Sequence, residues 1–350
     1  MNSVVKIGQK TIGGVDSNAV YVIAEIGSNH DGSLERALEH VRRAKKSGAD
    51  AVKFQSFSAQ GLLNPKRPIQ NDPENGWETH PAYDTLEKLE LPDEWHAKLK
   101  AECDRLGIDF MSAPFDVKKA RLVKSLGCNS MKIASGELTN TLLLKEVASY
   151  GVPIILSSGA ATLEEIRTAL TTLEQAGCRD VVLLHCVSNY PPKFSEMNVL
   201  AVETLRREFR IPVGISDHTP GHTVPVLATA FGSRCVEKHV TFDRKLKGPD
   251  HPYALQWEEF DILIAELQNA VAALGDGVKK PPESERAEAL FARKGLYAAV
   301  NLKAGDTISL ENTRIVRHAF GISARDVEKY LGKRLKKPVE ADHAIFPEDF

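Results

Sequence analysis

The sequence has few cysteines, no long apolar run and almost no excess of charge. Its five cysteines lack C-x-x-C spacing, which argues against a disulfide framework or a zinc knuckle and predicts buried apolar residues. No segment approaches the roughly 18 apolar residues of a membrane-spanning helix, and the first residues lack a secretory signal. With 45 Lys and Arg against 47 Asp and Glu, no surplus of cations is available for nucleic acid. We therefore expect a cytoplasmic protein that binds neither membranes nor nucleic acids.

Short Val- and Ile-rich runs alternate with segments whose apolar residues repeat at helical spacing. There are eight such runs, at 21–27, 50–55, 108–114, 129–137, 153–159, 180–188, 211–218 and 234–242. Because parallel strands need helical crossovers that cover both faces of the sheet, this pattern predicts a closed (β/α)8 TIM barrel. An open doubly wound sheet is the alternative, but no G-x-G-x-x-G motif follows the first run, which weakens a dinucleotide-binding interpretation.

The pattern changes after residue 275. Residues 276–294 are charged and contain two adjacent prolines, which is typical of an interdomain linker. The remaining runs, LYAAVNL, TISL and TRIVR with a helical DVEKYLGKRL, predict a module too small to be robust alone. We therefore predict a barrel over 1–275, a linker over 276–294 and a small domain over 295–350. The long Pro-, Asn- and Gly-rich connection at 56–91 is expected to be functional or disordered.

Polar side chains stand at the predicted carboxyl end of every strand, where barrel enzymes carry their chemistry. Burying them costs on the order of several kcal/mol unless a ligand satisfies them. Lys53 and Lys132 lie inside strands among apolar neighbours. They are consistent with surface lysines, with a clamp for phosphate or carboxylate, or with a Schiff-base nucleophile, and their spacing does not distinguish these.

Two histidines are expected at one rim of the barrel, because His218 and His239 end the last two strands. A carboxylate and water would complete a shell for Mn²⁺, Fe²⁺, Zn²⁺ or Co²⁺. A lone histidine is more often a satisfied core residue. His30 and His185 are weaker candidates. The others are predicted to lie in solvent or in loops: His40, His80, His96, His222, His251, His318 and His343.

The strand-end motifs, taken in order, resemble the sialic acid synthase family: AEIGSNHDG, KFQSF, KIASGELTN, LSSG, SNYPP, GISDHTPG, EKHVTFDR and GPDH. The resemblance covers nearly the whole chain, since the last segment is similar to the antifreeze-like (SAF) domain of those synthases. It implies a transferase that condenses phosphoenolpyruvate with N-acetylmannosamine or a related N-acyl hexosamine, giving a nine-carbon 2-keto acid and phosphate by C–O cleavage. It also implies a divalent metal, Mn²⁺ first with Mg²⁺ or Co²⁺ as alternatives, and a domain-swapped homodimer.

The resemblance further implies a role for each matching residue. Phosphoenolpyruvate contacts would be Lys53, Gln55, Lys132, Ser135, Ser157, Ser188 and Ser216. The catalytic residues would be Glu25, His218 and His239, the histidines as metal ligands and Glu25 as the base for water. Sugar contacts would be Glu137, Tyr190, Asp250 and Arg317, the last reaching into the partner subunit's barrel. Two departures from the family pattern affect the site. Ala113 replaces a usual threonine, which leaves open whether Ser112 supplies the missing hydroxyl. His318-Ala319 stands where Pro-Gly is common.

Alternatives remain within and outside the family. The acceptor could instead be the precursor of legionaminate or of a spore-coat sugar. The segment IGSNH differs from the pattern of pseudaminate synthases, which argues against pseudaminate as the product. The long loop, with Asn71, Asn75 and Tyr83, is expected to decide this. A Schiff-base aldolase using Lys53, Lys132 or Lys238 is a second class, and a non-enzymatic carbohydrate- or ice-binding protein is a third.

Overall fold

The computed structural model describes residues 1–14 and 19–350, which form two compact units, Met1–Gly275 and Asp276–Phe350. The first unit has the strands β1 (Val4–Ile7), β2 (Lys10–Gly13), β3 (Tyr21–Glu25), β4 (Ala51–Ser56), β5 (Lys66–Pro68), β6 (Trp77–Thr79), β7 (Asp109–Pro114), β8 (Met131–Ile133), β9 (Ile154–Ser157), β10 (Val181–Cys186), β11 (Val213–Asp217), β12 (Cys235–Thr241) and β13 (Leu255–Gln256). Its helices are α1 (Leu34–Ser47), α2 (Ala59–Leu62), α3 (Tyr83–Leu89), α4 (Asp93–Leu106), α5 (Val117–Ser125), α6 (Thr141–Ala148), α7 (Leu163–Gln175), α8 (Ala201–Phe209), α9 (Thr223–Ala230) and α10 (Trp257–Leu274).

Eight parallel strands form the predicted barrel rather than an open doubly wound sheet. They are hydrogen-bonded in the order β7-β4-β3-β12-β11-β10-β9-β8, and the end strands β7 and β8 pack against each other. Each coincides with one of the eight apolar runs, because a strand covered on both faces carries apolar residues at nearly every position. The cysteines are all buried, as predicted.

The inside of the barrel is apolar at its amino end. Ile23, Met111, Ile155 and Leu184 form a buried cluster there, together with residues of the β1-β2 hairpin. The sequence did not predict this hairpin, whose apolar side chains cover that end of the barrel. Because side chains alternate along a strand, the same inward face continues towards the carboxyl ends of the strands.

The helices and connections follow local signals. Ser33 caps α1, and Thr162 with Glu165 forms the capping box expected at the start of α7. The long connection at 56–91 contains α2, the antiparallel β5-β6 hairpin and α3. Within residues 1–14 and 19–350, no helix combines the length and the apolar character that crossing a membrane requires.

The second unit contains α11 (Arg286–Ala292) and an antiparallel pair, β14 (Lys294–Ala298) and β15 (Thr313–Arg317). Its own apolar core includes Leu296, Ile322 and Ile345. The helix predicted for DVEKYLGKRL is reduced to a single 3₁₀ turn, Val327–Lys329. The segment predicted from TISL forms no strand in this part of the structure and contributes an isolated bridge between Thr307 and Arg334.

Candidate active site

The carboxyl ends of the barrel strands surround a cavity of about 790 Å³. The inward face that is apolar deeper in the barrel becomes polar here, so that Cys235 is followed on that face by Glu237 and His239. Most of the predicted site residues line this cavity: Glu25, Lys53, Gln55, Lys132, Ser135, Ser157, Ser188, Tyr190, Ser216, His218, His239 and Asp250.

Two buried lysines and two buried carboxylates form an ion-pair network in the cavity wall. Lys53 Nζ lies 3.0 Å from Glu25 Oε2 and 3.6 Å from Glu237 Oε2. Lys132 Nζ lies 3.9 Å from the same Glu237 oxygen. Gln55 Nε2 donates a hydrogen bond to Glu25 Oε1 at 2.9 Å. The network therefore fixes the positions of both lysines and of Glu25 relative to one another.

The buried charges change the protonation equilibria of their neighbours. Burial lowers the pKa of Lys132 although Glu237 opposes this effect. Burial also acts to lower the pKa of Lys53, but Glu237 and Glu25 raise it above its ordinary value. Burial would raise the pKa of Glu237, yet Lys132, Lys53 and a hydrogen bond from Ser216 lower it to about 2. Lys53 and Glu237 are thus charged at neutral pH, and Lys132 is the lysine that loses its proton more easily.

Serine hydroxyls continue the wall beside Lys132. Its Nζ donates to Ser157 Oγ at 2.6 Å, and the backbone N–H of Gly159 donates to Ser135 Oγ at 2.9 Å. A Cβ atom on Gly159 would overlap the Ser188 and Ser135 hydroxyls, so the glycine lets the backbone approach them. Ammonium and hydroxyl groups are the donors that bind phosphate and carboxylate in proteins.

The two histidines predicted at one rim lie side by side. The ring centroids of His218 and His239 are 5.2 Å apart, and the Tyr253 and Tyr190 rings pack near them. Burial and the neighbouring His239 lower the pKa of His218 to about 3, so this imidazole is neutral, the form that ligates metals. His239 Nδ1 is buried and lacks a hydrogen-bond partner within the described chain.

This pair of imidazoles fits a divalent ion, because a neutral ring and an orphaned buried nitrogen are both available at one place. Across residues 1–14 and 19–350, no group of three or more His, Cys, Asp or Glu side chains is arranged to hold a metal. The remaining ligands of an ion bound to His218 and His239 would therefore be water or substrate oxygen atoms.

Asp250 is fixed at the cavity by several hydrogen bonds. Ser28 donates its N–H and its hydroxyl to Oδ2 at 3.0 and 2.8 Å, and Tyr253 donates to Oδ1 at 2.6 Å. Burial would raise the pKa of Asp250, but His239, Tyr253 and Ser28 lower it. A Cβ on Gly27, whose φ is +53°, would lie 2.6 Å from Asp250 Oδ2. The ionised carboxylate can accept hydrogen bonds from substrate hydroxyls.

Of the residues predicted to contact the sugar, Glu137 is not among those that line the cavity, and Arg317 belongs to the second unit. Glu137 lies in the 3₁₀ turn Ser135–Glu137 and accepts a hydrogen bond from Asn140 Nδ2 at 2.7 Å. Arg317 ends β15 in the second unit, where its guanidinium lies over the Phe291 ring. Their proposed sugar contacts remain predictions.

Two histidines predicted to lie in solvent or loops, His40 and His96, are buried residues of the helices α1 and α4, so that prediction was wrong. His251 lies in the connection between β12 and β13, but it is fully buried. His96 illustrates the reason: its Nε2 lies 2.7 Å from Ser56 Oγ, which in turn lies 2.5 Å from Ser112 Oγ. The buried ring nitrogen is thereby satisfied. Ser112 belongs to this network and is not among the residues that line the cavity.

Several residues of the cavity were not predicted as site residues. Glu237 is the most important, and its spacing of two from His239 could have placed it on the inward face. Lys238 lies on the opposite face, 2.5 Å from Asp217 Oδ2 and outside the cavity lining. Ser28 and the apolar residues of α2 and α3 were also missed.

Comparison with known proteins agrees with the geometry. The model of the NeuB family matches residues 40–279, and that of the SAF domain matches residues 293–350. The chain is 39% identical over 330 residues to an N,N'-diacetyllegionaminic acid synthase of Legionella pneumophila, covering 93% of each. It is 33% identical over 337 residues to a pseudaminic acid synthase of Campylobacter jejuni, covering 95% of this chain and 96% of that protein.

A solved structure gives the same result. The crystal structure of an N-acetylneuraminic acid (sialic acid) synthetase from Leptospira borgpetersenii in complex with citrate matches with a TM-score of 0.72 and 34% identity, covering 82% of this chain and 95% of that one. The resemblance to the sialic acid synthase family is confirmed. The chain belongs to the NeuB family and is a sugar acid synthase of the sialic, legionaminic and pseudaminic acid type.

Proposed function

We propose that this enzyme condenses phosphoenolpyruvate with an open-chain N-acylated amino sugar and releases phosphate, with a divalent ion held by His218 and His239. The observation that supports this best is the gathering of Lys53, Lys132 and both histidines around one cavity. Phosphoenolpyruvate carries a phosphate and a carboxylate, and cations with hydroxyl donors bind such groups most strongly in a site with little water.

The lysines and serines bind and orient phosphoenolpyruvate in this proposal. Lys53 and Lys132 bind its anionic groups, because both ammonium groups are buried at the cavity. The hydroxyl donors of the same wall would be Ser135, Ser157, Ser188 and Ser216, with Gln55 as an amide donor. Holding the reactant in one orientation lowers the entropic cost of the carbon–carbon bond-forming step.

The reaction forms one carbon–carbon bond and breaks one C–O bond. C3 of phosphoenolpyruvate attacks the aldehyde carbon, and the aldehyde oxygen takes up a proton to become a hydroxyl. Water adds to C2 and gives a proton to Glu25, which Gln55 and Lys53 hold in place. The bond between C2 and the phosphate oxygen then breaks while the new C2 hydroxyl gives its proton to the departing phosphate, which leaves a 2-keto group and inorganic phosphate. A bound divalent ion supplies Lewis-acid polarisation of the aldehyde. Asp250 and Tyr190 orient the sugar.

A phosphate-release assay with phosphoenolpyruvate and a panel of amino sugars tests the proposal. We expect release that depends on the sugar, disappears in EDTA and returns with Mn²⁺, Mg²⁺ or Co²⁺. The Schiff-base aldolase alternative draws on the lowered pKa of Lys132. Full activity in EDTA, with borohydride trapping of a carbonyl substrate on the protein, would overturn the proposal in its favour.

We also propose a homodimer in which the second unit of one chain covers the barrel mouth of the other. The second unit carries an exposed apolar patch at Arg317, formed by Leu290, Phe291 and Phe320, which are 44%, 46% and 48% exposed. The Arg317 guanidinium lies 5.8 Å from the centre of the Phe291 ring. Exposed apolar surface next to a cation is typical of an interface that a monomer leaves uncovered.

Mixing inactive chains tests this arrangement. Arg317→Ala chains are refolded or co-expressed with His239→Ala chains. In each mixed dimer, one of the two active sites combines an intact barrel with an intact second unit. Because about half of the randomly paired dimers are mixed, about a quarter of all active sites should be intact. The control pairs His239→Ala with Lys53→Met, both barrel variants, and should restore nothing. Verified mixed dimers of the first pair without activity would contradict the swap.

A further inference from the structure

The two strands that lead to the histidine pair also carry a buried ion pair. β11 and β12 run parallel, and Asp217, the last residue of β11, is the register partner of Lys238. Both residues are 1% exposed, and neither is among those that line the cavity. One position further along each chain, His218 and His239 do line it. The ion pair therefore joins β11 to β12 at the step just before the two histidines.

The ion pair is part of a network that holds the chain on both sides of His218. Lys238 Nζ lies 2.5 Å from Asp217 Oδ2 and also donates a hydrogen bond to the carbonyl oxygen of Thr219. Thr219 donates its backbone N–H to Asp217 Oδ1 at 3.0 Å and its hydroxyl to Oδ2 at 2.9 Å. We call Lys238, Asp217 and Thr219 the lysine bridge. It connects the residues before and after His218 to the residue before His239.

The lysine bridge supplies direction more than stability. Two ions that are buried in a protein lose their hydration, and well-packed apolar side chains of similar size often stabilise a fold at least as well. An ammonium group, however, has three donors and can hold two acceptors at fixed positions. An imidazole nitrogen that ligates a divalent ion stands about 2 Å from it, so a small shift of one histidine weakens one of the two bonds.

Other contacts of His218 come from a different strand. Its Nδ1 lies 3.9 Å from Cys186 Sγ at the end of β10, and the Tyr190 ring, in the connection after β10, packs at 4.4 Å between centroids. These contacts orient the imidazole relative to β10. His239 belongs to β12, and His218 lies beyond the last registered pair of β11 with β12. The lysine bridge is what ties the chain around His218 to β12.

We propose that Lys238 is a positioning residue that fixes the distance between His218 and His239, so that both imidazoles bind the same divalent ion. It acts through Asp217 and Thr219 and touches neither the ion nor a substrate. The inference rests on the proposed function, which places the ion at the two histidines. It gives Lys238 a role that differs from that of the two lysines in the cavity wall.

Binding of Mn²⁺ without substrates, followed by the free-ion signal in electron paramagnetic resonance, tests this inference. The Lys238→Met enzyme should bind Mn²⁺ about 10- to 100-fold more weakly. This substitution leaves Asp217 buried without its cation, so the enzyme should also be less stable. The double variant Lys238→Met/Asp217→Asn removes both charges and should regain stability while its affinity for Mn²⁺ stays low. Lys238→Arg, whose guanidinium can donate to both acceptors, should keep an affinity close to that of the unaltered enzyme.

A milder variant and a control complete the series. Thr219→Val removes one hydroxyl with little change of shape, and should weaken Mn²⁺ binding several-fold even if the lysine variants do not fold. Lys119→Met is the matched control, because it breaks a nearly buried ion pair with Asp93 outside the cavity. It should lower the unfolding temperature without changing the affinity for Mn²⁺. Thermal unfolding of every variant checks the folded state.

The dependence of activity on Mn²⁺ gives a second readout. Both histidines remain in the Lys238→Met/Asp217→Asn enzyme, so saturating Mn²⁺ should restore most of its kcat. The Mn²⁺ concentration that gives half of the maximal rate should rise by the same factor as the dissociation constant.

The outcomes separate the two proposals. If the unaltered enzyme bound no Mn²⁺, or if His218→Gln and His239→Gln enzymes bound it equally well, the metal role in the proposed function would be contradicted. If those substitutions weakened binding but folded variants of the lysine bridge kept the unaltered affinity, the role of Lys238 would be overturned and the metal site would stand. A loss of affinity of the same size in Lys119→Met would also overturn it, because lower stability would then be the cause.

Discussion

Lys53→Met and Lys132→Met enzymes are each expected to lose at least about 10³-fold in kcat/KM for phosphoenolpyruvate, equivalent to about 4 kcal/mol of transition-state stabilisation. Methionine keeps most of the length of lysine and removes its charge. Both ammonium groups are buried at the cavity, where little water is available to take over their contact with an anion. The loss in kcat/KM should therefore exceed the loss expected when a solvent-exposed cation that contacts the substrate is removed.

The same substitutions leave Glu237 with fewer cations around it. A buried carboxylate without a partner is costly, so the Lys132→Met enzyme should also unfold at a lower temperature. The double variant Lys132→Met/Glu237→Gln separates the two effects, because it should regain stability without regaining affinity for phosphoenolpyruvate.

Steady-state kinetics and calorimetric titration of phosphoenolpyruvate provide the measurements. Lys119→Met is the control, since this lysine is also nearly buried and lies 2.5 Å from Asp93, but outside the cavity. It should lower stability without changing kcat/KM. An unchanged kcat/KM in a folded Lys132→Met enzyme would contradict a role of Lys132 in binding phosphoenolpyruvate.

The strands illustrate how much of the site the sequence can predict. In β12 the alternation of side chains places Glu237 and His239 inward and Lys238 outward. The barrel and the positions of Lys53 and Lys132 follow from apolar runs and strand ends. Glu237 was not among the predicted site residues, although the same period-of-two rule places it on the inward face together with His239.

Other parts of the fold depend on contacts that the sequence pattern does not contain. The helices α2 and α3 are short and lie in a Pro- and Asn-rich connection, so no periodicity indicates which leucines face the cavity. The helix predicted near the end of the chain is cut to one 3₁₀ turn before Gly332, whose φ of +82° is incompatible with a continuing helix. Tertiary packing determines both which leucines of α2 and α3 face the cavity and where the predicted helix ends.

The histidine pair leads to the second large prediction. His218→Gln and His239→Gln enzymes are each expected to lose at least about 10³-fold in kcat, because in the proposed mechanism the two imidazoles would hold the ion that polarises the aldehyde. Glutamine keeps a polar side chain of similar length but is a much weaker metal ligand than imidazole. Added Mn²⁺ should not restore the activity of either variant.

Binding of Mn²⁺ can be measured without turnover, from the loss of the free-ion signal in electron paramagnetic resonance. The unaltered enzyme should bind one ion per chain, and each variant should bind it at least about tenfold more weakly. His185→Gln is the matched control: His185 lies on β10, its Nε2 is 2.7 Å from the Met197 carbonyl oxygen, and it does not line the cavity. That enzyme should bind Mn²⁺ normally. If His218→Gln and His239→Gln also bound it normally, the ion would have to sit elsewhere, and the neutral imidazole of His218 and the orphaned nitrogen of His239 would need another explanation.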